Sequence, residues 1–454
     1  MNMSISILRK AYLEKKLTPR SLVDSIPEDC EKYIEHNIWI RRLNKLELEP
    51  YLKQLDESDP SKLPLYGIPF AIKDNIDLQG IPTTAGCPAY EYIPQQSAYV
   101  VQQLINAGAI PIGKTNMDQF ATGLVGVRSP EPWGPCRNAF NKDYISGGSS
   151  SGSAVAVSLG LVSFSLGTDT AGSGRVPAAL NNIIGLKPTK GLLSMHGVVP
   201  ACRSLDCVSI FALTAMDAND VLNVAASYDD QDQYAHRSDF SNNHRHFGKI
   251  EKEFIFAVPE NNQLEFFKNT SAQELFQASI EKLEQSGGIK KVINFSCFLN
   301  SARLLYEGPW VAERYVAIEE LINKNPDALL PVINKIIGGG RDKTASDAFK
   351  AEYKMQMFRQ QARLILQDVD FLVTPTVGTT YTIDAVQNDP VTLNSNLGYY
   401  TNYMNLLDCC GVALPCGLLD NGLPFGITLS QLAQFDRKLL SYAHKFQQVF
   451  SRPV

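Results

Sequence analysis

The chain has 454 residues, 44% apolar and 20% charged, with a formal net charge of −5. That is a globular composition, long enough to bury a large core, and its mild acidity gives no electrostatic footprint for nucleic acid or an anionic membrane surface. The nine cysteines form an odd set without a C-x-x-C pair, which argues against a disulfide framework or a zinc site and for buried, reduced thiols.

A small-molecule substrate is therefore the expectation. The N-terminus mixes charged with apolar residues and lacks the apolar core of a signal segment. The longest charge-free stretch, Ile145 to Thr168, opens on Ser and Gly too polar to span a bilayer comfortably. No membrane segment and a cytoplasmic location are expected.

Residues 1–60 read as a charged helical segment, with Thr18 as N-cap and Pro19 at the first helical position of one helix. From Tyr66 the texture changes to short apolar runs punctuated by Gly and Pro. GIPFAIKDNI reads as a buried strand and SAYVVQQLINAGA as a helix closing at Gly108. IPIG reads as a short strand, and a further helix is expected from about Asn116, carrying MDQF. Strands alternating with helices predict an α/β fold with a mixed or parallel sheet.

Ser227 to Lys249 is the most polar segment and reads as a surface loop. His244 and His246 lie in it, with no cysteine nearby to complete a metal site. FIFAVPE then reads as a strand. Amphipathic helices follow between Ser271 and Asp368, the first with a capping box at Ser271 and Glu274. FLVTPT, from Phe371, returns to strand texture. Residues 271–368 are thus expected as a helical insertion in one sheet-centred domain over 61–454.

Gly108 to Thr115, GAIPIGKT, matches the phosphate-loop pattern G-x-x-x-x-G-K-[ST]. That motif needs a strand before the first glycine, a helix after the threonine and free backbone N–H groups between them. Here a helix precedes it, and an apolar run with a proline fills the loop. A helix–turn–strand connection is the better reading.

The chemistry concentrates between Ser146 and Arg175, where two glycine–serine clusters flank a small, apolar stretch. Acyl transfer needs a nucleophile, a proton acceptor and donors for the oxyanion. In TDTAGSGR, Ser173 offers a hydroxyl, and the N–H groups from Thr170 to Ser173 can converge on one point. An ordinary turn is the alternative. No histidine lies near either cluster, so the base must be another group. Lys73, at the end of an apolar strand, fits if burial keeps it neutral. A structural pairing of Lys73 with Asp74 or Asp77 competes with that role. The GGSSSGS cluster reads either as a linker or as a turn whose serine relays a proton.

The run GGSSSGSAVAVSLGLVSFSLGTDTAGSGRVPAALNNIIGLKPTKG resembles the signature region of the amidase signature family, and PLYGIPFAIKDNI resembles its lysine-bearing strand. The resemblance covers most of the chain, from about Leu17 to the terminal helix. It implies a single large domain, a mixed sheet covered by helices on both faces, and a Ser–cisSer–Lys triad. On that basis Ser173 is the nucleophile, Ser149 the bridging serine at a cis peptide bond, and Lys73 the general base. The backbone N–H groups of Thr170, Ala171, Gly172 and Ser173 become the oxyanion hole. Ser151 stands where many members have glycine.

Within the family, GLVGVRSP from Gly123, HGVVPACRSLDCVSIFA from His196 and YEGPWVAERY from Tyr306 are similar to the allophanate hydrolase subgroup. That likeness implies that Tyr306 and Arg314 hold the substrate, the arginine gripping its carboxylate. A solvated Arg314, or one loosely paired with Glu313 or Glu319, is the competing reading. The likeness further implies allophanate hydrolysis without a cofactor or metal, a homodimer, and a functional link to a urea carboxylase. Another amidase of the same fold, such as a general amide hydrolase or the glutaminase-type subunit of an amidotransferase, is the alternative. The C-terminal domain of longer allophanate hydrolases is not expected in this sequence.

Overall fold

The computed structural model describes residues 1–450. Eleven strands form one mixed sheet: β1 Trp39–Arg42, β2 Pro69–Lys73, β3 Ile110–Thr115, β4 Phe164–Asp169, β5 Ile184–Lys187, β6 Cys207–Ala212, β7 Phe254–Pro259, β8 Gly288–Ile293, β9 Phe371–Pro375, β10 Cys409–Leu418 and β11 Pro424–Leu432. Their order is β1-β3-β2-β4-β6-β5-β10-β11-β9-β7-β8. Two parallel units, β3-β2-β4 and β9-β7-β8, are joined by antiparallel strands. Every residue of β2, β3 and β4 is buried, as continuous apolar runs must be when helices cover both faces of a parallel unit. Phe70 of β2 stacks on Phe164 of β4 with ring centroids 5.1 Å apart. The expected α/β fold, one mixed sheet between helices, is the observed one.

The N-terminal segment is not purely helical. Helices Ile5–Leu13, Pro19–Lys32 and Lys45–Asp56 are present, with Thr18 accepting a hydrogen bond from the Ser21 N–H as the cap. Between the last two lies β1, which pairs antiparallel with β3 and ties the segment into the main sheet. Its sequence WIRR hides the strand because Arg41 and Arg42 reach out to Glu47 and Glu31. Residues 271–368 likewise hold five helices and a strand. β8 (GIKKVI) is a largely exposed edge that pairs parallel with β7, and its lysines suit an edge that must not recruit another chain. The first of these helices is capped by Asn269, which accepts from the Ala272 N–H, and not by Ser271. The Ser271 hydroxyl instead accepts from the Asp420 N–H.

The helix expected from Asn116 does not form. Only a short turn, Gln119–Ala121, is present, with φ of 50° at Phe120 and 51° at Ala121. The Asp118 carboxylate takes the N–H groups of Gly126 and Arg128 at 3.1 and 2.8 Å, folding the chain back on itself. The GAIPIGKT segment is strand, as read. Lys114 lies 3.2 Å from Asp74 with both side chains fully buried, and the Thr115 hydroxyl bonds that of Ser153 at 2.7 Å. Its lysine and threonine serve packing, not phosphate. No helix among the described residues is long and apolar enough to cross a membrane.

Candidate active site

β2 and β4 run parallel in register, Ile72 opposite Leu166, so their C-terminal ends deliver Lys73 and Thr168 to the same place. Lys73 is fully buried. Its Nζ lies 2.8 Å from Ser149 Oγ and 2.7 Å from Thr168 Oγ1. Burial pushes the ammonium down to about 7, against the pull of Asp118, Asp206 and Asp169, and with the repulsion of Arg314. Neither competing partner holds it. Asp74 pairs with Lys114, while Asp77 accepts from Thr83 and Tyr92. A lysine that is part neutral near pH 7 and touches a serine hydroxyl is equipped to take its proton.

Ser149 precedes the buried helix Ser151–Ser158, and its peptide bond to Gly148 is cis. The cluster is therefore a packed turn, not a linker. A side chain at Gly148 would run into the Asp118 carboxylate. Ser173 lies on the loop after β4, 2% exposed, with its Oγ 3.5 Å from the Gly123 carbonyl. No hydrogen bond joins Ser149 to Ser173 among the described residues; each hydroxyl is turned to another partner.

Asp169 organises the Ser173 loop. Its two oxygens accept from the Arg175 guanidinium at 2.9 Å each, and from the N–H groups of Gly172 and Gly174. This corrects one expected oxyanion donor. The Gly172 N–H is committed to Asp169 at 2.9 Å, which leaves the N–H groups of Thr170, Ala171 and Ser173 for an oxyanion. Gly172 itself is required by its φ of 141° and by the Thr401 side chain, which a Cβ would strike. Thr170 is fixed from the side, its hydroxyl donating to Asp206 at 2.5 Å while Asp206 accepts the N–H groups of Ala201 and Cys202. Asp169→Ala leaves Arg175 charged and buried without a counterion, with only long bonds to the Thr401 carbonyl and Asn405, and is expected to cost about 3–5 kcal/mol, read as a lower denaturation midpoint.

Tyr306 and Arg314 fall on different helices. Tyr306 is in the last turn of Ser296–Glu307, Gly308 and Pro309 break the chain, and Arg314 is on Trp310–Lys324. The guanidinium nevertheless lies over the Tyr306 ring, 5.9 Å from its centroid. Arg314 is 2% exposed. Its Nη1 donates to Thr122 Oγ1 at 3.2 Å and its Nε has no partner. The pairing with Glu313 or Glu319 does not occur. Glu313 instead accepts from the backbone and hydroxyl of Ser204. Sequence reasoning missed Thr168, Asp169, Arg175 and Asp206 as supports. The first three were inside the TDTAGSGR motif and open to notice, whereas nothing local marks Asp206.

The Amidase family model matches residues 30–440 of this chain. The urea amidolyase of Saccharomyces cerevisiae is 47% identical over 419 residues, covering 91% of this chain but only 22% of that protein. The chain thus spans about a fifth of the length of that relative and of its Lachancea kluyveri counterpart. A glutamyl-tRNA(Gln) amidotransferase subunit from Lawsonia intracellularis is 34% identical, with 88% of each chain covered. Among solved structures, Kluyveromyces lactis allophanate hydrolase superposes with a TM-score of 0.92 at 43% identity, over 97% of this chain and 73% of that one. With its lysine-terminated β2, its cis serine turn and its DTAGS loop set in that shared fold, the chain belongs to the amidase family.

Proposed function

We propose that this chain hydrolyses allophanate, releasing ammonia, with Ser173 as nucleophile, Ser149 as proton relay and Lys73 as general base. The observation that carries the choice of substrate is the Arg314 guanidinium, buried beside the serine–lysine pair with no carboxylate within 4 Å among the described residues. A buried cation without a counterion is costly, and a carboxylate on the substrate supplies one through two parallel hydrogen bonds. The allophanate hydrolase from K. lactis, similar in sequence and fold, supports the same reading.

The chemistry follows from the positions. The Ser173 hydroxyl turns from the Gly123 carbonyl toward Ser149, which passes its own proton to neutral Lys73. The Ser173 oxygen attacks the terminal amide carbon, and the N–H groups of Thr170, Ala171 and Ser173 receive the oxyanion, each donor worth about 3 kcal/mol of barrier. Protonated Lys73 returns a proton through Ser149 to the leaving nitrogen, and ammonia departs. Water, deprotonated along the same relay, opens the acyl-enzyme and yields N-carboxycarbamate. Every proton is carried by a side chain, so no cofactor enters the scheme. Allophanate is urea bearing a carboxylate, so a urea-carboxylating activity is the partner reaction that fits this substrate. The same reading keeps the homodimer and the cytoplasmic setting expected from the sequence.

The likeness to a glutamyl-tRNA(Gln) amidotransferase subunit favours a second reading, a glutaminase. Ammonia release from allophanate, glutamine and a simple amide separates the two: equal rates on all three defeat the allophanate assignment. Arg314→Ala is expected to raise KM for allophanate about 10- to 100-fold, the worth of a charged hydrogen bond, and to leave an uncharged amide little affected. Equal losses on both substrates make Arg314 structural.

A further inference from the structure

Arg314 is not the only buried cation here. Arg128, in the GLVGVRSP segment, is 3% exposed, and its backbone N–H, not its head group, is what Asp118 accepts. Its guanidinium donates from Nη1 to the Thr122 carbonyl at 2.9 Å and from Nη2 to the Pro390 carbonyl at 2.5 Å. Its Nε is buried without a partner, as is that of Arg314. Both guanidinium groups are thus held on one residue, Arg128 by the Thr122 carbonyl and Arg314 by the Thr122 hydroxyl. Gly123, next in the chain, points its carbonyl at the Ser173 hydroxyl. Among the described residues no carboxylate comes within 4 Å of either head group.

Two guanidinium groups that repel each other, with Asp118 near Arg128 but no carboxylate in contact with either head group and a buried donor unfilled on each, form a site that can take an anion. Neutral carbonyls hold the Arg128 head group in place, and the Asp118 carboxylate offsets its charge without touching it. We infer that Arg128 is a second specificity-determining residue, sharing the substrate carboxylate with Arg314, so that the site selects short amides ending in an acid. The inference rests on the reading that the substrate carries a carboxylate.

The test uses malonamate, in which CH2 replaces the central NH of allophanate, and its neutral counterpart malonamide. Both are titrated calorimetrically into the Ser173→Ala protein, alone and combined with Arg128→Gln or Arg128→Lys. Arg128→Gln is expected to weaken malonamate about tenfold or more and to leave malonamide within about twofold, with Arg128→Lys falling between. Unchanged malonamate binding, or equal losses on both ligands, overturns the inference. If Arg128→Gln does not fold, Arg128→Lys decides by the same comparison, with a loss of about threefold or more on malonamate alone required, since a point charge replaces the fork. Allophanate turnover by the unmodified enzyme is measured alongside. Turnover with an indifferent Arg128 sinks the inference alone, whereas no turnover and no malonamate binding sink the proposed reaction with it.

Discussion

Lys73→Met is expected to abolish ammonia release and to make the protein more stable at neutral pH. Removing the general base takes away about 10²–10⁴-fold directly, and more where the relay acts as a unit. The stability gain follows from the cost of holding a lysine neutral. In the unfolded chain Lys73 titrates near 10.5, and in the fold burial brings it to about 7. Between those values the unfolded chain holds a proton that the folded chain lacks, so stability from this group rises with pH from about 7 to about 10.5 and is flat below 7. At or below pH 7 the penalty has a ceiling of about 5 kcal/mol. Lost hydrogen bonds to Ser149 and Thr168 return part of it, so a net gain of about 1–3 kcal/mol is expected. Thermal denaturation of both proteins at pH 6.5 and pH 10 checks this: the variant melts higher at pH 6.5, and the difference shrinks at pH 10. In the unmodified enzyme kcat/KM is expected to climb with pH and level off above about 7. A variant that keeps turnover removes Lys73 from the base role, and one that is less stable at pH 6.5 removes the burial penalty on its ammonium.

The parts of this site that were legible in the sequence are those whose chemistry is local. β2 announces itself as an apolar run ending in lysine, and burial on both faces is what such a run requires. The two glycine–serine clusters announce tight turns, and both are turns. What was not legible depends on partners far away in the chain. Arg314 reads as a surface arginine until Thr122, 192 residues earlier, meets it in the core. Asp206 fixes Thr170 across 36 residues, and Thr168 reaches Lys73 across 95. The Asn116 helix failed for the same kind of reason. MDQF has helical texture, but the Asp118 carboxylate bonds to N–H groups eight and ten residues on, which a helix does not allow. β1 and β8 were missed because edge strands carry arginines and lysines that mimic an exposed helix. The Gly172 donor was misassigned because the direction of an N–H depends on Asp169, and spacing alone does not set it.

Ser173→Ala is expected to reduce turnover by about 10⁴–10⁶-fold, on the scale of losing the nucleophile in a serine hydrolase, with stability changed by no more than about 0.5 kcal/mol. The small stability effect follows from geometry: the hydroxyl makes one long contact, 3.5 Å to the Gly123 carbonyl, and Asp169 holds the loop through its backbone and Arg175. Ser173→Ala combined with Lys73→Met is expected to be no slower than the worse single variant, because nucleophile and base act as one unit. An additive loss breaks that coupling. The choice between the two serines needs a separate readout, since Ser149 is the one that touches Lys73 at 2.8 Å. The loop geometry favours Ser173: the N–H groups of Thr170, Ala171 and Ser173, without a backbone partner among the described residues, belong to the Ser173 loop, so an acyl group on Ser173 would lie beside them. An activated carbamate should therefore label the peptide containing Ser173, and labelling should vanish in Ser173→Ala. It should slow, with the same peptide modified, in Ser149→Ala. A label on Ser149 in either protein reverses the order of the relay and makes Ser149 the nucleophile.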